Sequence, residues 1–139
     1  MTPEEIDIEI QTYLESLMTL SDYSNVTYHT YEGIPNSTEP DPHTDIWVLF
    51  SIRLTDTQKL EIGRTNVLGV RFGNLHINVF TPKNSGKTIG GNLAGKFEDA
   101  IRRRGLTNCS FEEPNTTFIS TGDWFNHHTV IPFFTTIGE

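Results

Sequence analysis

The sequence predicts an α+β fold, in which two main helices pack on a mostly antiparallel or mixed sheet of about four to six strands. Two segments repeat apolar residues at helical spacing, and several shorter segments alternate apolar and polar residues as strands do. The chain has 139 residues, which fits a single domain over residues 1–139. Its one cysteine, Cys109, excludes an internal disulfide, and a core of this size folds without disulfides or metal.

The first helix is predicted at the N-terminus, where Thr2, Pro3 and Glu5 form a capping pattern. Its apolar stripe, which should face the core, consists of Ile6, Ile10, Tyr13, Leu14 and Leu17. From residue 19 to residue 45 this period is lost and three prolines appear, which indicates a long loop. Val26, Tyr28 and Ile34 predict one short strand within it.

Residues 46–54 are predicted to form a strand inside the sheet, because both of its faces are partly apolar. One face carries Ile46, Val48, Phe50, Ile52 and Leu54, and the other carries Trp47, Leu49, Ser51 and Arg53. Residues 55–72 show no firm period, and we expect a protruding loop or hairpin arm there. Alternation resumes from Leu75 to Thr81 and predicts a half-buried strand that stops at Pro82.

A second helix is predicted from Thr88 to Arg104, with Gly105 as its C-terminal cap. Its apolar stripe consists of Ile89, Leu93, Ala94, Phe97, Ala100 and Ile101. On its outer face Glu98 should pair with Arg102, and Asp99 with Arg103, at i and i+4. Gly90, Gly91 and Gly95 weaken a helix, so they predict close backbone packing over the sheet.

The remaining residues predict strands at 109–111, 116–121 and 124–136. Gly122 and Asp123 fit a two-residue hairpin turn with glycine in first position. Pro132 cannot donate a backbone hydrogen bond, which predicts that the last strand lies at an edge or carries a bulge.

Charge is distributed unevenly along the chain. Ten lysines and arginines against 18 acids give −8, which argues against a general nucleic-acid binder. Ten of the acids precede the first basic residue, Arg53, so the first 52 residues carry −10 and the remainder carries +2.

The segment from Thr81 to Thr88, TPKNSGKT, ends like a phosphate-binding loop between a strand and a helix. Because Thr81 occupies the position of the motif's first glycine, an ordinary connection is favoured. A small nucleotide-binding enzyme that uses Lys87 and Thr88 remains an alternative. Arg102, Arg103 and Arg104 offset the dipole of the second helix, and the alternative is a phosphate-contacting patch shared with Lys96.

The histidines have no metal-ligand spacing. His127 and His128 are adjacent in a strand and therefore point to opposite faces, while His29, His43 and His76 lie in different elements. The histidine spacing therefore predicts no metal site. Ser120, Asp123 and His127 could be read as a hydrolase triad, but no nucleophile elbow or oxyanion glycines surround Ser120, so we expect no cofactor, no catalytic residues and no enzymatic activity.

Five segments follow one another in order through the middle and end of the chain: Arg71-Phe72-Gly73, the run from Val79 to Gly86, Lys96-Phe97, Gly122-Asp123-Trp124 and Val130-Ile131-Pro132-Phe133. In their order and spacing they resemble the phage tail-terminator-like family, whose type is the siphophage tail terminator. A helix that opens near Pro3 and a tryptophan strand at Trp47 also fit. The motif positions are Arg71, Gly73, Pro82, Gly86, Phe97, Gly122, Trp124, Pro132 and Phe133. The likeness covers most of residues 1–136 and departs from the pattern at 19–45 and 55–72.

The resemblance implies a tail-terminator-like fold and a homohexameric ring that caps the head-proximal end of the tail tube. Such a ring stops tube polymerisation and joins the tail to the head connector or stopper protein, while phage DNA passes through the lumen without specific binding. It implies a virion protein assembled in the bacterial cytoplasm, with no membrane partner. The alternative within this class is another neck, head-completion or minor capsid protein.

Two sets of residues are candidates for roles in such a ring. The subunit interface is predicted on the arm and the final hairpin, because apolar residues without a core period and a proline-bearing strand lie there; it comprises Val67, Leu68, Val70, Phe72, Trp124 and Phe125. The acids Glu4, Glu9 and Glu15 are predicted to line the lumen and repel DNA phosphates.

Overall fold

Two helices lie on one face of a six-stranded mixed sheet in the computed structural model, which describes residues 3–33, 40–59, 69–85, 87–103, 106 and 109–137. The helices are α1 (Pro3–Met18) and α2 (Thr88–Arg103), and short 3₁₀ turns span Ser21–Tyr23 and Lys83–Ser85. The strands are β1 (Tyr28–Tyr31), β2 (Trp47–Lys59), β3 (Gly69–Pro82), β4 (Ser110–Phe111), β5 (Asn115–Thr121) and β6 (Trp124–Ile137). The predicted α+β fold class is confirmed. Among the described residues, no helix is long and apolar enough to cross a membrane.

The sheet is built around the long antiparallel pair of β3 and β6, which runs from Gly69↔Ile137 to Pro82↔Trp124. β2 pairs antiparallel with the other side of β3, and β1 adds to β2 in parallel. Along the remaining side of β6 lie β4 and β5, both antiparallel to it. The described edges of the sheet are therefore β1 on one side and β4 with β5 on the other.

The core lies between the helices and the sheet, and the predicted helical stripes supply its upper layer. All five stripe residues of α1 are buried, as are Leu93, Phe97 and Ile101 of α2. They pack on fully buried strand residues, namely Val48, Phe50, Leu75, Ile77, Val79 and Ile131. The Tyr13 hydroxyl donates to the Ala100 carbonyl at 3.1 Å, which ties the two helices together. Each such buried side chain contributes roughly 1.5–3 kcal/mol.

The prediction that residues 46–54 form an inner strand is confirmed, because β2 lies between β1 and β3. The register of β2 and β3 shifts between Leu54 and Asp56, and pairing then continues to Lys59↔Gly69. The loop or hairpin arm was predicted over residues 55–72, but residues 55–59 continue β2 and residues 69–72 begin β3, paired antiparallel with each other. Residues 60–68 of the predicted arm lie outside the described residues. The same is true of Thr2 and Gly105, the predicted helix caps.

The expectation that Pro132 marks an edge strand or a bulge is wrong. Pro132 lies within β6, a central strand, and pairs with Asn74 in an unbroken register. The Glu112 amide donates to the Pro132 carbonyl at 2.8 Å, so the backbone of Pro132 points toward the side occupied by β4 and β5. The missing N–H of the proline falls at the gap between these two short strands, where it interrupts no ladder.

Local predictions about glycines and ion pairs have mixed outcomes. Gly122 has φ of +57° in the two-residue turn between Thr121 and Trp124, as predicted. A Cβ added at Gly90 would lie 2.5 Å from His127 Nδ1, which confirms close packing at that glycine. A Cβ added at Gly95 would have none of the described atoms of neighbouring elements within 4 Å.

Of the ion pairs predicted on α2, Glu98–Arg102 forms at 3.5 Å, and Asp99 also reaches Arg102, at 3.7 Å.

Candidate interaction surface

The face of the sheet away from α1 and α2 carries no described element, and we call it the open face. Side chains on it come from alternate positions of β2, β3 and β6 and from β1. The open face comprises Tyr28, Trp47, Leu49, Ser51, Arg53, His76, Asn78, Phe80, Trp124, Asn126 and His128. Most of these side chains are half-buried by their neighbours in the sheet. The open face is a surface of mixed aromatic and polar chemistry.

Four aromatic residues form a continuous cluster at one end of the open face. Trp47 is central: its ring stacks on Phe80 with centroids 4.2 Å apart and on Tyr28 at 5.8 Å. Trp124 meets Trp47 edge-on at 6.1 Å and Phe80 at 6.5 Å. Register explains the cluster, because Tyr28, Trp47 and Phe80 are cross-strand partners. Large half-exposed aromatic clusters are typical of protein interfaces.

A histidine pair lies in the middle of the open face. His76 Nδ1 and His128 Nε2 are 2.8 Å apart, and the rings stack with centroids at 5.1 Å. Burial lowers the pKa of both histidines; the His128 charge further lowers the pKa of His76, and the nearby charge of Arg53 lowers both. The lowered pKa values therefore disfavour the state in which both rings are protonated and positively charged. Among the described residues, no group of three or more metal-ligating side chains is present.

Beside the histidine pair, Glu32 and Arg53 form an exposed ion pair at 2.8 Å. The hydrogen bond from Arg53 is the main cause of a lowered pKa for Glu32, with smaller contributions from His76 and from a hydrogen bond with Ser51. Ser51 is the cross-strand partner of His76 and is buried. These contacts connect Glu32, which directly follows β1, with β2 and β3 through polar side chains.

The histidine pair was missed at the sequence level, because His76 and His128 are 52 positions apart and no ligand spacing joins them. Their contact depends on the register of β3 against β6, which pairs Asn78 with His128. The alternation in each strand is visible in the sequence, but the register between the strands is not. The prediction that His127 and His128 point to opposite faces is confirmed, since His127 packs against Gly90 of α2.

The predicted interface residues fall in different environments. Trp124 lies in the aromatic cluster, and Phe125 lies on the opposite side of the hairpin, 5.3 Å from the Phe118 ring. Val70 is buried within the chain, and the Phe72 ring packs on the Phe134 ring with centroids 6.5 Å apart. The remaining two, Val67 and Leu68, lie outside the described residues.

Two exposed apolar residues of β5 were not selected from the sequence. Phe118 and Ile119 are 43% and 44% exposed. They are adjacent in a strand, so they project to opposite faces of the sheet edge. The detectable signal was a Phe-Ile pair within a strand whose other residues are Asn, Ser and Thr.

The acids proposed to line a lumen do not form one cluster on α1. Glu15 faces β1, where it accepts a hydrogen bond from the Tyr31 hydroxyl at 2.6 Å and contacts His29 Nε2 at 2.7 Å. These contacts lower the pKa of Glu15, with the Tyr31 hydrogen bond as the main cause. Glu9 lies near Cys109, whose thiol donates to it at 3.8 Å. Glu4 is exposed in the first turn.

The loop that resembles a phosphate-binding segment is occupied by internal contacts. Lys87 places its Nζ 5.2 Å from the centre of the Phe118 ring. Thr81 is fully buried, and His127 packs directly against Gly90. Burial, with a smaller effect of Lys87, lowers the pKa of His127. Gly86 lies outside the described residues.

Many of the resemblance positions meet in space. Gly73 and Phe133 are cross-strand partners, and a Cβ on Gly73 would lie 2.6 Å from Phe133 Cζ. Pro82 and Trp124 are paired at the far end of the same two strands. Phe97 is fully buried and stacks on Tyr23 at 4.6 Å. The described motif residues mainly define the β3–β6 pair, its turn and the helix above it.

Comparison with known proteins shows the fold alone. No protein-family model matches this chain, and no curated protein does. One solved structure, whose name carries no functional information, is similar with a TM-score of 0.56 over 99% of this chain and 96% of its own length. Its sequence is 14% identical. The likeness therefore extends over essentially the whole of both chains.

Proposed function

We propose that this chain is a tail-terminator-like structural protein of a phage virion. In this proposal six copies form a ring at the head-proximal end of the tail tube, stop its polymerisation and join the tail to the connector or stopper protein. DNA passes through the ring without specific binding. The protein carries out no catalysis in this role.

One observation carries the proposal: residues that share the family pattern, though distant in sequence, contact each other. Gly73 is 60 positions from Phe133, yet the two are partners in the β3–β6 pair. The absence of a side chain at Gly73 is what lets the Phe133 ring lie against it. The positions that carry the resemblance therefore lie together in one structural unit of this chain, which supports the proposal. The whole-length structural likeness is compatible with this proposal but names no function.

The surfaces of the subunit also suit assembly. A ring uses two different patches on every subunit, because its interfaces are heterologous. The open face and the apolar β5 edge provide surface beyond what the isolated fold needs, with Phe118 and Ile119 exposed. The acids that precede Arg53 give the N-terminal part of each copy a charge of −10. Where such acids face a lumen, they repel phosphate and let DNA slide.

The proposal is tested by mass in solution and by the effect on tail tubes. Light scattering of the purified chain should give six times 15.8 kDa, about 95 kDa, and electron microscopy should show rings. Added to polymerising tail tube protein, the chain should shorten the tubes, while an equal amount of an unrelated acidic protein should not. A stable monomer that leaves tube length unchanged contradicts the proposal. A hexamer that binds connector but not tube would instead indicate another neck protein.

A further inference from the structure

We infer that neighbouring subunits join by strand addition, with the outer edge of β5 in one copy pairing antiparallel with the outer edge of β1 in the next. This inference rests on the proposed ring, for which it names the interface. The partner is a second copy of this chain, and the contact is a backbone ladder that continues the sheet from one subunit to the next.

The composition of β5 is the first argument. It reads Asn-Thr-Thr-Phe-Ile-Ser-Thr, with no charge and no proline, and it pairs only with β6 among the described strands. Edge strands of soluble proteins are commonly protected by charged residues, prolines or bulges. This strand lacks those devices and exposes Phe118 and Ile119. An edge of this kind is a template for another strand.

The direction of the backbone groups on β5 is the second argument. In an antiparallel pair, the N–H and C=O of one residue point to the same side, and those of the next residue to the other. The Pro132 carbonyl points toward β4 and β5, so Asn126 and His128, at alternate positions, do too. Their β5 partners, Ile119 and Thr117, therefore point inward. Consequently Thr116, Phe118 and Ser120 direct their backbone groups outward.

The same reasoning applies to β1 at the opposite edge. The Glu32 amide donates to the Phe50 carbonyl at 2.8 Å, so Glu32 points inward to β2. Counting back along the strand, the Thr30 and Tyr28 amides point inward, whereas His29 and Tyr31 direct theirs outward. Within the described part of the chain, no backbone hydrogen bond is made on this outer side of His29 or Tyr31.

The residues of β1 and β5 whose backbone groups point outward are in register with each other across the sheet. One line of directly paired residues is His29↔Val48↔Val79↔His127↔Phe118, and another is Tyr31↔Phe50↔Ile77↔Thr129↔Thr116. β1 and β5 also run in opposite directions, because three antiparallel steps and one parallel step separate them. The next copy therefore needs no shift along the strands to set its His29 against Phe118 and its Tyr31 against Thr116.

Charge complementarity is an independent argument for a second copy as the partner. Lys87 Nζ lies over the Phe118 ring, 5.2 Å from its centre. Glu15 contacts His29 at 2.7 Å, on the same side of the sheet, and its side chain is 54% exposed. Pairing Phe118 with His29 of the next copy brings Lys87 toward the Glu15 carboxylate of that copy. Opposite charges at the two edges favour head-to-tail contact over contact between like edges.

Disulfide crosslinking tests this interface directly. Partners in a hydrogen-bonded antiparallel pair have Cα atoms about 5.5 Å apart, which lies within the range of a disulfide. The test variant combines His29→Cys with Phe118→Cys. The native Cys109 is retained, because it is buried and burial raises the pKa of its thiol to about 12. The matched control combines His29→Cys with Ser120→Cys, which moves one partner two residues to about 9 Å.

We expect the test variant, after mild oxidation, to give a ladder of covalent oligomers that ends at six on a denaturing gel. The control should give at least tenfold less crosslinking. Mixed single variants, His29→Cys and Phe118→Cys, should give covalent dimers only, and neither should crosslink alone. Crosslinking of His29→Cys by itself would indicate that like edges pair and would overturn the inference.

The outcomes separate this inference from the proposed function. A hexamer that forms no crosslink in the test variant overturns the strand interface and leaves the ring intact. A ladder that ends at a number other than six supports the interface and contradicts the six-fold ring. A monomer without crosslinks, alone and with tail tube protein, overturns both. Circular dichroism of each variant checks that it is folded.

Discussion

The two faces of the sheet, made by the same strands, differ in chemistry. The face under α1 and α2 is mainly apolar, with Phe50, Leu75, Ile77 and Val79 fully buried, and its polar residues Thr81, His127 and Thr129 are buried as well. The open face alternates aromatic residues with serine, asparagine and histidine, most of them half-buried. Burial of apolar surface drives folding, and the fully buried apolar strand residues lie on the first face. The half-buried mixture of aromatic and polar residues on the open face therefore points to requirements beyond folding.

The largest difference between the faces should appear when a large ring is removed from each. Phe97→Ala removes a fully buried ring that stacks on Tyr23 at 4.6 Å and meets Phe50 at 5.9 Å. We expect its unfolding free energy to fall by about 3–5 kcal/mol. Trp124→Ala, on the half-buried open face, should cost about half as much. Urea unfolding followed by circular dichroism measures both, and equal losses would mean that the open face is part of the core.

Two glycines sharpen the comparison, since one is packed and the other is not. A Cβ on Gly73 would lie 2.7 Å from the Arg53 carbonyl oxygen and 2.6 Å from Phe133 Cζ, and the backbone atom cannot move aside cheaply. Gly73→Ala should therefore destabilise the fold by about 1–3 kcal/mol. The matched control is Gly95→Ala in α2, where none of the described atoms lies within 4 Å.

The control should change stability with the opposite sign. Alanine in a helix is favoured over glycine by roughly 0.5–1 kcal/mol, so Gly95→Ala should stabilise the protein by about that amount. Thermal unfolding of the two variants side by side provides the measurement. Destabilisation by Gly95→Ala would show that close packing extends along the whole glycine face of α2.

The helix-covered face was predictable from the sequence because its signal is local. The stripe from Ile6 to Leu17 and the alternation from Leu75 to Thr81 fix which side chains are buried without knowledge of their partners. The open face was not predictable in the same way. Its central feature, the contact between His76 and His128, depends on how β3 pairs with β6.

Pro132 was misinterpreted for a related reason. A proline in a strand usually signals an edge, but here it lies in the central strand β6, opposite the gap between β4 and β5. The sequence shows neither that two short strands share one side of β6 nor where they meet. Patterns within a single strand therefore predict which side chains are buried in the core. They do not predict the position of Pro132, which depends on how β4, β5 and β6 are arranged relative to one another.

The smallest expected effect concerns the open face alone and is read from the pH dependence of stability. Burial lowers the pKa of His76 and His128 in the folded state below the ordinary value of 6.5. The unfolded chain then binds more protons, so stability is complete above pH 6.5 and falls as the pH drops below it, through the folded pKa values. Replacing both residues, as His76→Gln with His128→Gln, should flatten this part of the curve.

A slope should remain in that double variant, because the pKa of His127, on the helix-covered face, is also lowered by burial. Urea unfolding of the native chain and of the double variant at pH 7.5, 6.5 and 5.5 gives the two pH dependences to be compared. If the double variant keeps the whole slope of the native chain, the histidine pair does not hold its pKa below the ordinary value. The acid sensitivity would then belong to the core face, where His127 lies against Gly90.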